Sequence, residues 1–279
     1  MTSWTSDVCR VNGIGIRYVR TGGDKPPVVL LHGLMGGGAC WTHLARALES
    51  EFEVFMPDAR GHGGSSAPQR GYRYDDLASD VEGLVGGLEL RDAVLLGHSM
   101  GGLTAAVVAS RNPGMLRGLV LVDPTFLSPE RQREVHGSGV AEQHGRALGL
   151  TKSELVAQAR ARHPRRSLEL IELQAEARLN TRMSAFDVLT PPNPEYRGLV
   201  RAVDVPSLLV IGDDPVVTLE MATELRGINP RLRVEQIEAA GHGLPFEQPE
   251  RLAEVVLSFL KGGLAPPLRA TDCRARSGI

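Results

Sequence analysis

The sequence predicts an α/β fold, a mostly parallel sheet with helices on both faces. Three observations carry that expectation. The short runs Val28–Leu31, Val94–Leu96, Leu119–Val122 and Leu208–Ile211 are wholly apolar, which suits strands buried on both faces of a parallel sheet. Stretches with an apolar stripe at helical spacing lie between them, as in Tyr74 to Leu88, where Leu77, Val81, Leu84, Val85 and Leu88 share one face. Finally, strand-like and helix-like segments alternate along the chain, the pattern that crossover connections leave. At 279 residues and 42% hydrophobic content the chain suits one domain with an insertion.

In order, Cys9 to Val19 alternates around Asn12-Gly13 and reads as a hairpin whose second strand is Ile14 to Val19. A turn from Gly22 to Pro27 leads into the strand Val28 to Leu31, which ends in His32-Gly33-Leu34-Met35-Gly36-Gly37-Gly38. This cluster lacks the Lys-Ser/Thr of a phosphate-binding loop and the Gly-x-Gly-x-x-Gly spacing of a dinucleotide turn. Its other use is to bring the backbone N–H of Leu34 beside a nucleophile. Trp41 to Ser50 has helical spacing, Phe52 to Met56 returns as a strand, and Arg60 to Ser66 is a glycine-rich loop. Asp58 and His62 suit local hydrogen bonding there better than catalysis.

The helix Tyr74 to Leu88 precedes the stretch Val94-Leu95-Leu96-Gly97-His98-Ser99-Met100-Gly101-Gly102, which an alanine- and valine-rich run follows. That is a strand, a sharp turn and a helix. A serine at such a turn holds its hydroxyl out at the end of a sheet, and glycines at 97 and 101 remove side chains that would collide as strand and helix close. The N–H of Met100, opening the helix, points where an oxyanion would form, and the helix dipole favours negative charge there.

Asn112-Pro113-Gly114 breaks that helix, and the strand Leu119 to Val122 closes with Asp123-Pro124. From Thr125 to about Asp204 the pattern changes to charged helical stretches, Ser153 to Arg162 and Ser167 to Asn180 among them, and then Pro191-Pro192-Asn193-Pro194. Residues 125–204 therefore read as a helical insertion, with 1–124 and 205–261 as the core domain. The alternation resumes with Ser207 to Ile211, ending in Gly212-Asp213-Asp214-Pro215, then a helix from Leu219 to Leu225 and a strand from Leu232 to Ile237. A loop, Ala240-Gly241-His242-Gly243, and a closing helix from Pro249 to Leu260 follow. The tail, 262–279, reads as weakly ordered.

A net charge of −2 with interleaved signs gives no reason to expect nucleic acid or a membrane surface as partner. A small neutral substrate is expected instead. Met1 to Asp7 carries no signal-peptide pattern, so a soluble cytoplasmic protein is expected. Cys9, Cys40 and Cys273 are odd in number and lack ligand spacing, which points to free thiols and no metal site.

The order of the chemistry-bearing residues is a serine on an elbow, an aspartate at a strand end, then a histidine in a Gly-His-Gly loop. That order is the one found in the α/β-hydrolase fold, and the chain resembles that superfamily over about residues 9–261. The resemblance rests on His32-Gly33, Asp58-x-Arg60-Gly61-His62-Gly63-x-Ser65, Gly97-His98-Ser99-Met100-Gly101-Gly102 and Gly241-His242-Gly243. It implies Ser99 as nucleophile, His242 as general base, the N–H groups of Leu34 and Met100 as oxyanion donors, and 125–204 as a helical cap.

The acid stays open between two candidates. Most of the superfamily carries it after the strand equivalent to Ser207–Ile211, in a Gly-x-x-Asp pattern that is one residue shorter here, with Asp214 the nearest match and Asp213 beside it. A minority carries it after the preceding strand, which here is Asp123. A triad of this type transfers acyl groups to water. The expected activity is thus a cofactor-free esterase or lactonase acting on an uncharged ester. Carbon–carbon bond hydrolysis, thioester hydrolysis and a ligand-binding receptor with incidental hydrolysis are the rivals; epoxide hydrolysis and dehalogenation need an aspartate where Ser99 stands.

Overall fold

The computed structural model describes residues 4–262 apart from 113, together with Leu264. Its strands are β1 (Thr5–Val11), β2 (Ile14–Arg20), β3 (Pro27–Leu31), β4 (Glu53–Pro57), β5 (Ala93–His98), β6 (Leu116–Val122), β7 (Ser207–Ile211) and β8 (Leu232–Gln236). They form one sheet in the order β1-β2-β4-β3-β5-β6-β7-β8. The β1/β2 and β2/β4 pairs are antiparallel, and every other pair is parallel.

Period-two alternation divides each central strand between two cores. Leu95, Leu119 and Leu209 face α2 (Tyr74–Gly87) and α3 (Met100–Arg111). Val94, Leu96, Val120 and Val210 face the opposite core. That second core is closed by α1 (Thr42–Leu48) and by a long C-terminal helix, Pro249–Gly262, whose Leu252, Val256, Phe259 and Leu260 are buried. Each such side chain taken fully from water contributes about 1.5–3 kcal/mol.

The first strand begins at Thr5 rather than Cys9. It is a sheet edge whose first four residues are exposed, so no apolar period marks its start, and its extent is set by pairing with β2 from Thr5↔Arg20 to Val11↔Ile14.

Between β6 and β7 the described residues form helices and no strand: α4 (Pro129–His136), α5 (Val140–Ala147), α6 (Lys152–Arg162), α7 (Leu168–Leu179), a 3-10 segment Met183–Leu189, and α8 (Tyr196–Ala202). Side-chain caps define their starts. Ser128 accepts from the N–H of Arg131, Thr151 forms a capping box with Glu154, and Ser167 accepts from the N–H of Leu170. Ala147, Leu155 and Ala175 make a small core of their own. The unit is tied down by a bidentate Arg46–Glu169 pair, both contacts at 2.9 Å, and by Arg73, which donates to the carbonyls of Thr190 and Pro192. Tyr196, Val200 and Val203 pack into the α2/α3 core, so α8 lies against the sheet layer.

Following β7 come α9 (Leu219–Ile228), the short α10 (Leu244–Glu247) and the closing helix, α11. No helix among the described residues is long and apolar enough to cross a membrane. The expectation for 262–279 falls, apart from Gly262 and Leu264, outside the described residues.

Candidate active site

Parallel pairing brings the carboxyl ends of β5 and β6 side by side, with Gly97 opposite Leu121 and His98 opposite Val122. Ser99 and Asp123 are the residues that follow, so adjacent strands deliver both to the same sheet edge. Ser99 has φ 54° and ψ −119°, a conformation that costs a non-glycine residue about 1–3 kcal/mol. The strain is held in place by close packing. A Cβ on Gly97 would overlap the carbonyl of Gly101, and one on Gly101 would overlap that of Leu31. The carbonyl of Ser99 accepts from the N–H groups of Gly102, Leu103 and Thr125 at 3.0–3.2 Å, locking the turn from behind.

His242 reaches this edge from the loop between β8 and α10. Its Nε2 lies 3.0 Å from Ser99 Oγ and its Nδ1 2.6 Å from Asp123 Oδ2. The carboxylate can only accept, so Nδ1 carries the proton and Nε2 is left to accept from the serine hydroxyl. Asp123 is fully buried. Its oxygens also accept the N–H groups of Val216 and Val217, each at 2.9 Å.

Those two amides explain which aspartate meets the ring. They belong to the shortened loop after β7, which wraps around the Asp123 carboxylate. Asp214, in the same loop, is instead paired through its backbone with Gly241. Asp213 accepts from Ala239 N at 2.6 Å and from Gln236 Nε2 at 3.2 Å. Of the candidates from the sequence, the structure brings Ser99, His242 and Asp123 together and leaves Asp214 and Asp213 out.

The Met100 N–H is the first of α3 and has no acceptor within the helix. The Leu34 N–H likewise has no backbone acceptor among the described residues. Leu34 and Met100 line the same cavity as Ser99. The loop carrying Leu34 is held by His32, whose Nε2 accepts from Ala59 N at 2.9 Å, so that Nδ1–H donates to the carbonyl of Gly33 at 2.8 Å. Burial pushes the His32 imidazole below its usual range, keeping that neutral tautomer.

Asp58 and His62 have local partners, as their glycine-rich surroundings predict. The Asp58 carboxylate accepts from Gly38 N at 2.8 Å, Gly64 N at 3.0 Å and Arg17 at 3.1 Å. His62 Nδ1 lies 3.0 Å from the carbonyl of Arg60, and burial lowers its pKa to about 3.

Four hydrogen bonds were not anticipated from the sequence. His98 Nε2 lies 2.8 Å from the carbonyl of His242, with the two rings 4.9 Å apart. Burial, and then the neighbouring His242, lower the His98 pKa to about 3, so its neutral ring braces the His242 backbone. Glu247 accepts the N–H of Gly241 at 2.9 Å and pairs with Arg166 at 2.6 Å, fixing the same loop from its other side. Tyr74 Oη meets Thr125 Oγ1 at 3.0 Å, and both residues line the cavity that Ser99 lines. His98 stands inside a motif already read for its serine, and nothing in sequence spacing distinguishes a bracing histidine there from a packed one.

The site opens into a cavity of about 950 Å³ between the strand ends and the inserted helices. Apolar walls come from residues such as Trp41, Phe126, Leu155 and Phe246. A serine hydroxyl fixed on a strained turn, an imidazole held in one tautomer, two amides without a backbone acceptor among the described residues and an adjoining cavity form an arrangement chemically able to attack a carbonyl carbon and stabilise the resulting oxyanion.

The chain belongs to the alpha/beta hydrolase fold family, whose pattern it matches over residues 26–249. It is similar to N-formylmaleamate deformylase of Pseudomonas putida, 30% identical over 245 residues that cover 85% of this chain and 89% of that one. It is also similar to 2-(acetamidomethylene)succinate hydrolase of Mesorhizobium japonicum, 25% identical over 87% of this chain and 90% of that one. Among solved structures, the enol-lactonase of Burkholderia xenovorans superposes with a TM-score of 0.75 at 25% identity, covering 91% of this chain and all (100%) of that one. The protein is therefore a member of a hydrolase family.

Proposed function

We propose that this protein is a serine hydrolase that cleaves a carboxylic ester or lactone through an acyl-enzyme on Ser99. The observation that carries this reading is the unbroken path Ser99 Oγ to His242 Nε2, 3.0 Å, and His242 Nδ1 to Asp123, 2.6 Å. His242 takes the serine proton as Oγ attacks the acyl carbon, and Asp123 stabilises the imidazolium that forms. The N–H groups of Leu34 and Met100 receive the oxyanion. His242 then returns the proton to the departing alcohol oxygen, and a water activated by the same ring hydrolyses the acyl-enzyme. This chemistry needs no cofactor.

The inserted helices, read as a cap, wall the side of the cavity away from the sheet and shelter the acyl-enzyme. The enol-lactonase and the two hydrolases named above add support, since all three are named for hydrolytic or lactone-opening reactions. The test is steady-state turnover of a panel of p-nitrophenyl acyl esters and lactones of graded size, with Ser99→Ala alongside. Sustained turnover lost in Ser99→Ala is the expected result. Stoichiometric binding without turnover contradicts the reading and favours a receptor, and turnover that survives Ser99→Ala contradicts Ser99 as the nucleophile.

A further inference from the structure

The cavity in front of Ser99 is strongly basic. Arg131, Arg162, His163, Arg166, Arg178 and Arg197 line it, and among the described residues no aspartate or glutamate does. The expectation of an uncharged substrate rests on the −2 net charge of the whole chain, an average that carries no information about one cavity.

Several of these charges have counter-ions beyond the cavity wall. Arg131 pairs with Glu134 at 2.7 Å, Arg166 with Glu247 at 2.6 Å and Arg197 with Glu224 at 2.6 Å. Two have none among the described residues. Arg162, the last residue of α6, reaches among them only the neutral amide of Gln158, at 3.2 Å. Arg178, in the last turn of α7, has no carboxylate within ion-pair distance among the described residues, and its Nε is buried without an acceptor. The charged group that bears on Arg178 is Arg162, a like charge on the helix packed against its own.

A half-buried guanidinium without a counter-ion, facing a second one, is unfavourable unless an anion completes it. Its planar fork of donors matches a carboxylate in two-point contact. We propose that the substrate carries a carboxylate remote from its scissile acyl bond, and that Arg178, assisted by Arg162, receives it. As a statement about substrate, this rests on the hydrolase reading above. The anion site itself does not.

Two ester pairs of matched size test the substrate claim. The first is p-nitrophenyl hydrogen glutarate against its methyl ester, with the charge on the acyl side. The second is 4-butyryloxybenzoate against its methyl ester, with the charge on the leaving group. In at least one pair the charged member is expected to have the higher kcat/KM, mainly through KM. That preference should fall about tenfold or more in Arg178→Gln, the scale of one charge-assisted hydrogen bond. Arg178→Lys should restore part of it, and Arg133→Gln, an exposed residue outside the cavity lining, should keep it whole. Neutral members preferred in both pairs, or a preference untouched by Arg178→Gln, overturns the proposal.

If neither an ester nor a lactone is turned over, the reading as an ester or lactone hydrolase fails and the anion site is read by binding. Glutarate should raise the Tm of the wild-type protein, and Arg178→Gln should remove most of the rise. No rise, an undiminished rise in the variant, or a larger Arg178-dependent rise with inorganic phosphate overturns the carboxylate site.

Discussion

The fully buried carboxylate of Asp123 meets Nδ1 of His242 at 2.6 Å although 119 residues separate the two in the chain. The same carboxylate accepts two amides of the loop after β7, so it orders the histidine and that loop together. Asp123→Asn replaces an acceptor with a donor at Nδ1 and favours the wrong tautomer. We expect kcat to fall by about 10⁴-fold, the size of effect seen when a triad acid is amidated. Asp214→Asn, which leaves the ring's partner in place, should stay within about a few-fold of wild type on the same reasoning. Parallel kinetics on the two variants check this, and equal losses contradict it.

The strain at Ser99 yields a stability prediction of opposite sign to the activity prediction. Its φ of 54° and ψ of −119° suit glycine far better than serine. Ser99→Gly should therefore abolish turnover yet stabilise the fold by about 1 kcal/mol, a rise in Tm of about 2–4 °C for a chain of this size. Ser99→Ala keeps the Cβ and should show no such rise. Calorimetry on both variants separates the backbone effect from loss of the hydroxyl.

Acid sensitivity follows from the buried histidines. His62 and His98 are each lowered from 6.5 to about 3 by burial. Between those values the unfolded chain binds protons that the native state does not, so stability rises with pH across that window and is lost as pH falls below about 6.5. Each group contributes up to about 1.4 kcal/mol per pH unit there. Denaturant midpoints measured from pH 7 to pH 4 should fall steadily, and His62→Gln should flatten the slope. A flat wild-type profile contradicts neutral burial.

His98 positions His242 through the 2.8 Å contact to its carbonyl. His98→Phe keeps a ring in the space but removes the donor. It should lower kcat by about 10- to 100-fold with KM little changed, because small misplacement of a base is costly. His98→Gln, which can donate to the same carbonyl, should recover part of the loss. A KM effect with unchanged kcat would argue for packing alone.

The sheet and the elbow were legible because local pattern determines them. Apolar runs give the buried strands, and Gly97 and Gly101 flank a serine where no side chain fits. The place of His242 at that edge was legible from its glycine-flanked loop. Its carboxylate partner was not, since Asp123 and Asp214 both follow strands that end at one sheet edge, and which of them meets the ring depends on how the loop holding Val216 and Val217 closes. The basic cavity was hidden for a different reason. Its arginines come from α4, α6, α7, α8 and the connection before α7, with no shared period, and their charge vanishes into a balanced total.

The most direct test of the account is covalent capture of the nucleophile. Wild-type protein treated with a fluorophosphonate should gain one adduct by intact mass, mapped by peptide analysis to Ser99, with labelling slowed by orders of magnitude in His242→Gln and Asp123→Asn but not in Asp214→Asn. Labelling at another residue, or a Ser99 that reacts equally fast without His242, would contradict it.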